Sequence, residues 1–225
     1  MGRSLSVEEA LSAVYAELEG FTGWRFLKGQ RCLKKKVKDL EFCILFFTSK
    51  WNRSYEYIGL NAEFRLIYKK LGKLPVQNTA AYYEYRPRAG EDMYWYDISA
   101  EDKLAAVTGI LKDEIRNTAM RLAERMEKDR DGTVRSLLDE HFEEYHVKLE
   151  FAADILGMDA VGEQAQKIAD ALTDEEKQQI ADYRNGKRTK TWMLNPTNLK
   201  YIVDHDLAGA GLLPASGQPE DDRKI

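Results

Sequence analysis

Eight cations, Lys28, Arg31, Lys34, Lys35, Lys36, Lys38, Lys50 and Arg53, share one stretch of the chain with Trp24, Trp51, Tyr55 and Tyr57. Cations beside exposed rings suit single-stranded nucleic acid, because charge follows the phosphates while ring faces stack on bases. On that reading Lys34, Lys36, Lys50, Trp51, Arg53 and Tyr55 are binding candidates. The competing reading is that lysines along a strand protect its edge from unwanted pairing, and the spacing matches no nucleic-acid motif. A second cluster, Tyr82, Tyr83, Tyr85, Tyr94, Trp95 and Tyr96, occupies fifteen positions. Tyrosine and tryptophan are enriched where proteins meet partners, so Tyr83, Tyr85 and Trp95 are candidates for protein contact. Rings of this kind equally fill a sheet–helix core with their hydroxyls at its margin.

Other groups carry weaker chemistry. Glu143, His146 and Glu150 stand at i, i+3 and i+7, so on one continuous helix they share a face that could hold a metal ion. A di-metal bundle needs a second such helix, which the sequence lacks. A solvated, salt-bridged helix face accounts for the same pattern, so neither a metal nor a cofactor is expected. Ser49-Lys50 is adjacent in sequence but defines no base geometry. Glu84 and Asp97, with Ser49 nearby, are the residues on which a cryptic hydrolase would rest. No nucleophile elbow, P-loop or dinucleotide-binding glycine pattern occurs. Cys32 and Cys43 are too few for a disulfide framework and read as free thiols. Arg184, Lys187, Arg188, Lys190 and Trp192 could clasp an anion, or simply complement a helix C-terminus.

The elements that must position these residues divide by type. Ser6-Val7-Glu8-Glu9 is a capping box opening a helix that Gly20 ends. Strand-like alternation follows from Trp24 to Leu27, with Gly29 as a bulge and continuation to Val37. Lys38-Asp39 forms a turn, and the strongly apolar 40–47 reads as a central strand covered on both faces. From Ile58 to Leu66 apolar and polar residues alternate, which predicts one face on a core. Two further strands are expected over 79–86 and 93–98.

At Ser99 the pattern changes to helical. Ser99 to Asp102 reads as a cap, and Leu104, Val107, Leu111, Ile115, Ala119, Leu122 and Met126 form one apolar stripe closed by Asp131-Gly132. Helices are also expected over 133–156, 160–172, 173–183 and 198–205. The sequence therefore predicts an α+β fold: an antiparallel β-sheet of 4–5 strands backed by helices, followed by an α-helical C-terminal subdomain. The expected parts are residues 1–98 (helix and sheet), 99–206 (helical) and a disordered tail over 207–225.

Charge is unevenly spread. Residues 1–90 carry 16 Lys and Arg against 9 Asp and Glu, and the remainder carry 18 against 29, for a net charge of −4. Such asymmetry fits an anionic partner for the first part, or attraction between the two parts. No apolar run approaches the ~18 residues of a membrane span, and the N-terminal residues lack a secretory pattern, so a cytoplasmic protein without membrane contact is expected.

Phe21-Thr22-Gly23-Trp24-Arg25-Phe26-Leu27-Lys28, followed by the lysine strand, the apolar strand and Ser49-Lys50-Trp51-Asn52, resembles an uncharacterised bacterial family labelled only as a domain of unknown function. The likeness covers about the first hundred residues. It implies a bacterial α+β protein and carries over no catalytic residue or ligand. Together these features favour a non-enzymatic module that binds an unknown protein partner through the aromatic and basic sheet region. Single-stranded nucleic-acid binding through Lys34, Lys36, Trp51 and Arg53 is the alternative, and a cryptic hydrolase the second.

Overall fold

The computed structural model describes residues 2–85, 95–185 and 198–208. The chain forms two compact units, Met1–Val147 and Lys148–Ile225.

The first unit opens with helix α1 (Val7–Thr22), held by the expected Ser6/Glu9 capping box and closed by Gly23 in the left-handed region at φ 65°, a conformation that costs glycine nothing. Strands β1 (Arg25–Leu27), β2 (Cys32–Val37), β3 (Leu40–Thr48), β4 (Gly59–Tyr68) and β5 (Thr79–Tyr85) then pair antiparallel in sequence order, and the short β6 (Tyr96–Asp97) pairs with β4. Between β4 and β5 lies the short helix α2 (Pro75–Asn78). The α+β class and the antiparallel sheet match the sequence expectation.

Gly29 is not a bulge, however. Lys28–Gln30 is a 3-10 turn followed by Arg31 at φ 48°, so the chain reverses there and β1 lies beside β2, with Arg25 opposite Lys34. The Lys38-Asp39 turn forms as expected, Val37 facing Leu40 across it.

Register sorts the two faces of the sheet, since residues directly opposite each other point to the same side. One face carries Phe26, Leu33, Val37, Leu40, Phe42, Ile44, Phe46, Leu60, Ala62, Phe64, Leu66, Tyr68, Ala81, Tyr83 and Tyr85. Of these, Phe42, Phe64, Leu66, Tyr68 and Tyr85 are sealed from solvent. The opposite face carries Lys34, Lys36, Glu41, Cys43, Leu45, Phe47, Glu63 and Arg65, with Leu45, Glu63 and Arg65 half-buried and Phe47 38% exposed. β3 is central, but only its even-numbered side is fully buried rather than both sides.

The apolar stripe that starts after Ser99 lies on the first of these faces. Helix α3 (Glu101–Ile115), a π turn over Arg116–Met120 and helix α4 (Arg121–Lys128) form one continuous rod. Tyr83 on β5 bonds Glu114 at 3.3 Å, Tyr85 bonds Thr118 at 2.8 Å, and Lys35 on β2 pairs with Glu127 at 3.5 Å. From β5 to β2 is three strand spacings, about 14 Å, whereas Glu114 to Glu127 spans about 20 Å of helix. The rod therefore crosses the sheet obliquely. α1 lies beside α3 and stacks Tyr15 on Phe26 (4.6 Å) and near Phe46 (5.1 Å).

The start of the rod departs from the sequence reading. Its N-cap is Ala100, which offers no side-chain cap. A backbone carbonyl of the N-terminal segment takes that role: Arg3 O accepts from Glu101 N–H (3.0 Å), while Leu5 N–H donates to Ser99 O (2.9 Å) and holds the two segments side by side. Nor does Asp131-Gly132 close the rod. α4 ends at Lys128, and Asp129 caps a new helix, α5 (Arg130–Asp139), accepting from Gly132 N–H at 3.0 Å.

The single helix expected over 133–156 is broken after Asp139. Residues 140–148 turn aside so that Tyr145 O can accept the N–H of Tyr82 (2.8 Å), an edge donor of β5. Tyr145 then packs against Phe64 and Tyr83, while His146, at φ 41°, stacks on Tyr82 with ring centres 4.3 Å apart. Satisfying a strand edge overrides helical propensity here.

The second unit contains α6 (Leu149–Leu156), a 3-10 turn over Met158–Val161, α7 (Gly162–Asp170), α8 (Asp174–Arg184) and α9 (Asn198–Asp204). α6 and α7 both pack on α9, and Asn198 Oδ1 accepts from Leu149 N–H at 2.8 Å. The Thr173/Glu176 capping box opens α8 as expected. Lys187, Arg188, Lys190, Trp192, Tyr94 and the tail from 209 lie outside the described residues; Arg184 pairs with Asp206 at 2.8 Å.

Candidate functional site

The sequence candidates separate into three places. Lys50, Trp51, Arg53 and Tyr55 come together on the loop between β3 and β4. Trp95 stands at the foot of this loop: a Cβ on Gly59 would lie 3.2 Å from the Trp95 Cβ, 3.1 Å from that of Ser49 and 2.8 Å from the Tyr57 hydroxyl. The crowding fixes Gly59 as the residue that lets β4 start beneath the loop.

The loop is pinned by its own polar groups. Asn52 Oδ1 accepts from Gly59 N–H (2.8 Å), and its amide reaches Gly59 O (3.4 Å). Arg53 and Tyr57 exchange both backbone bonds (2.8 and 3.0 Å), and Ser49 Oγ accepts from Trp51 N–H (3.1 Å). The N-terminal segment ties down the tip: Tyr55 N–H bonds Leu5 O at 2.8 Å, and Val7 N–H bonds Ser54 Oγ at 3.2 Å. Tyr55 itself sits at φ 68°, a strained position for a side chain of this size.

This backbone presents two rings outward. Trp51 is 69% exposed and Tyr55 62%. Lys50 Nζ lies 4.9 Å over the Trp51 ring, and Arg53 faces Glu56 at 3.7 Å. Phe47, the last outward-facing apolar residue of β3, precedes the loop.

Lys34 and Lys36 lie elsewhere. Lys36 faces Glu41 across β2 and β3, seven residues along β3 from Thr48, which is about 23 Å of strand. Lys34 is held by Glu41 at 2.7 Å, and Lys69 bonds the same carboxylate at 2.7 Å. Burial pushes the Glu41 carboxyl up, but these two ammonium groups outweigh it and leave it below its ordinary range. The four residues Lys34, Lys36, Trp51 and Arg53 therefore do not line one continuous strip.

Tyr83 and Tyr85 occupy the third place, beneath the rod. Tyr85 is 1% exposed, and burial drives its phenol far above the ordinary tyrosine value. It is a core residue rather than a contact residue. Tyr83 is half-buried and bonded to Glu114.

The hydrolase residues are not assembled. Ser49 Oγ is occupied by Trp51 N–H. Asp97 accepts from Ser99 N–H (3.0 Å) and from Lys103 Nζ (2.5 Å). Its burial raises the carboxyl's pKa, but these bonds bring it below the ordinary range. Glu84 faces Glu63 on β4, four residues from Gly59, which faces Asp97; that is about 13 Å of strand. The metal candidates also disperse in the chain's secondary structure: Glu143 and His146 lie in the 140–148 turn and Glu150 in the first turn of α6, so they share no helix face.

Cys32 and Cys43 are buried on adjacent strands of the opposite face. Both are free thiols, and the hydrogen bond between them lowers the pKa of Cys32 and raises that of Cys43.

One group escaped the sequence reading: Asn117, Arg121, Arg125, His141 and Tyr145 line a cleft of about 210 Å³. The arginines at i and i+4 on the rod's polar side are the signal that could have pointed to it.

No family model, curated protein or solved structure matches this chain. Among the described residues no helix is long and apolar enough to cross a membrane.

Proposed function

We propose that this protein is a non-enzymatic module that holds another protein on the loop between β3 and β4. Trp51 and Tyr55 are the anchors, Lys50 and Arg53 the polar rim. One observation carries this reading: two large rings stand in solvent on a backbone already fixed by hydrogen bonds at both ends. A tryptophan or tyrosine can bury about 150–250 Å² on contact, and a loop ordered beforehand loses little entropy when it binds. Such rings dominate interface energies. The partner's matching surface is an apolar slot with an acidic margin facing Lys50 and Arg53. The cytoplasmic setting and the bacterial family suggested by the N-terminal resemblance belong to this proposal.

A single-stranded nucleic acid is the second reading. The Lys50 ammonium over the Trp51 ring favours it, since that pair could serve one phosphate and one base. The ion pairing of Lys34 and the distance to Lys36 weigh against a longer track.

The test is affinity capture from lysate of the source cell, comparing the unaltered chain with Trp51→Ala and Tyr55→Ala and following absorbance at 260 nm. A protein held by the unaltered chain and at least about 30-fold more weakly by Trp51→Ala supports the first reading. Nucleic acid lost in the same way supports the second. A partner held equally by all three chains refutes the placement of the site.

A further inference from the structure

The π turn and the segment that leaves helix α5 enclose a cleft that the loop proposal does not use. Its floor is apolar, formed by Leu122 of α4 and Leu137 of α5. One wall is a stripe at helical spacing, Asn117, Arg121 and Arg125, which brings two guanidinium groups to the same side. The other wall is His141, Glu144 and Tyr145.

The charges in this cleft do not cancel. Glu144 is engaged by His141, whose Nδ1 lies 2.8 Å from Oε2. Among the described residues neither Arg121 nor Arg125 forms an ion pair, although Arg125 is half-buried. Two guanidiniums without an ion-pair partner among the described residues line a cleft whose carboxylate, Glu144, is taken up by His141, and the half-buried charge of Arg125 is costly until an anion pairs it. Burial, and then Glu144, push the pKa of the Tyr145 phenol well above the ordinary value, against a smaller downward pull from Arg121 and Arg125. The phenol therefore stays protonated and able to donate. The Thr118 hydroxyl is already committed to Glu114 O (2.7 Å) and to Tyr85 (2.8 Å), which leaves Asn117, Arg121, Arg125 and Tyr145 as the available donors.

We propose that this cleft binds the phosphate group of a small phosphate ester. Two planar guanidiniums offer paired N–H donors to more than two oxygens. A phosphate monoester presents three terminal oxygens and a charge near −2, while a carboxylate would be satisfied by one arginine. The volume of about 210 Å³ accommodates a phosphate and a few carbon atoms over the Leu122–Leu137 floor, and suits a small molecule more than a macromolecular surface.

The test is an amide NMR titration of the full chain with inorganic phosphate, phenyl phosphate and benzoate, against sodium chloride at matched ionic strength. Saturable shifts confined to residues 117–125 and 141–145 are expected, with phenyl phosphate binding more tightly than inorganic phosphate. Arg121→Gln and Arg125→Gln should each weaken binding about tenfold or more. Arg121 is exposed, so its replacement leaves the fold intact even if that of the half-buried Arg125 does not. Shifts that chloride reproduces, benzoate binding as tightly as phenyl phosphate, or affinity unchanged in Arg121→Gln would each overturn the assignment.

Discussion

The bond that docks the rod on the sheet can be weighed by a double-mutant cycle at Tyr85 and Thr118. Thr118 gives its only hydroxyl proton to Glu114 O at 2.7 Å, so across the 2.8 Å contact the Tyr85 phenol is the donor. The backbone of Ala119, inside the π turn, also hydrogen-bonds this phenol. Tyr85→Phe removes the hydroxyl and leaves the Ala119 amide buried without that acceptor. Thr118→Val leaves the phenol buried without an acceptor. Each change should cost about 1–3 kcal/mol, the penalty of a buried polar group deprived of its partner. The double variant removes both ends of one bond and should cost less than the two losses combined, by roughly 1 kcal/mol. Urea unfolding followed through amide signals of residues 101–128 reports the first unit alone, with linear extrapolation giving each free energy. A coupling within about 0.3 kcal/mol of zero would refute the docking of the π turn on β5.

Three further outcomes follow from the same contacts. The Tyr15 hydroxyl is buried and unpartnered among the described residues, so Tyr15→Phe should leave stability unchanged or raise it by up to about 1 kcal/mol; a clear loss by thermal unfolding would mean the hydroxyl has a partner. Gly59→Ala places a methyl against the Tyr57 hydroxyl, Ser49 and Trp95 and should cost about 1–3 kcal/mol, read from urea midpoints. Bonds from the Ser6 backbone and side chain and from Arg3 hold the Glu9 carboxyl at about 2. Because its folded value is depressed, the stabilisation of α1 is complete above the unfolded carboxylate value of about 4.3 and is lost as pH falls through about 2. A Glu9 carbon-13 titration with its midpoint near the unfolded value would contradict this.

Much of this fold is written locally. The alternation over 58–66, the two capping boxes and the stripe from Leu104 to Met126 each follow from spacing alone, and each appears in the structure. The departures come where distant backbone groups intervene. The rod starts without a side-chain cap at Ala100 because the Arg3 carbonyl accepts from Glu101 N–H, and nothing near Ser99 in sequence announces that. Residues 140–148 abandon the helix because β5 has an edge donor to satisfy, a demand that lies some sixty residues upstream. Site residues followed the same rule. Local clustering grouped Lys50, Trp51, Arg53 and Tyr55 correctly, since one loop holds them. It could not separate Lys34 from them without the β2–β3 register, nor tell Tyr85 from an exposed ring before the rod covered it. The Arg121–Arg125 cleft was hidden for a related reason: one wall belongs to the rod and the other to the broken segment.

The central claim is that the pinned loop, and not another exposed apolar position, meets a protein. A photo-crosslinking amino acid placed singly at positions 51, 55 and 110, in the cell of origin, tests it most directly, because Ile110 is also exposed, on α3. The account predicts one discrete protein adduct shared by positions 51 and 55 and absent at 110. An adduct pattern equal at all three positions, or one found only at 110, would contradict it.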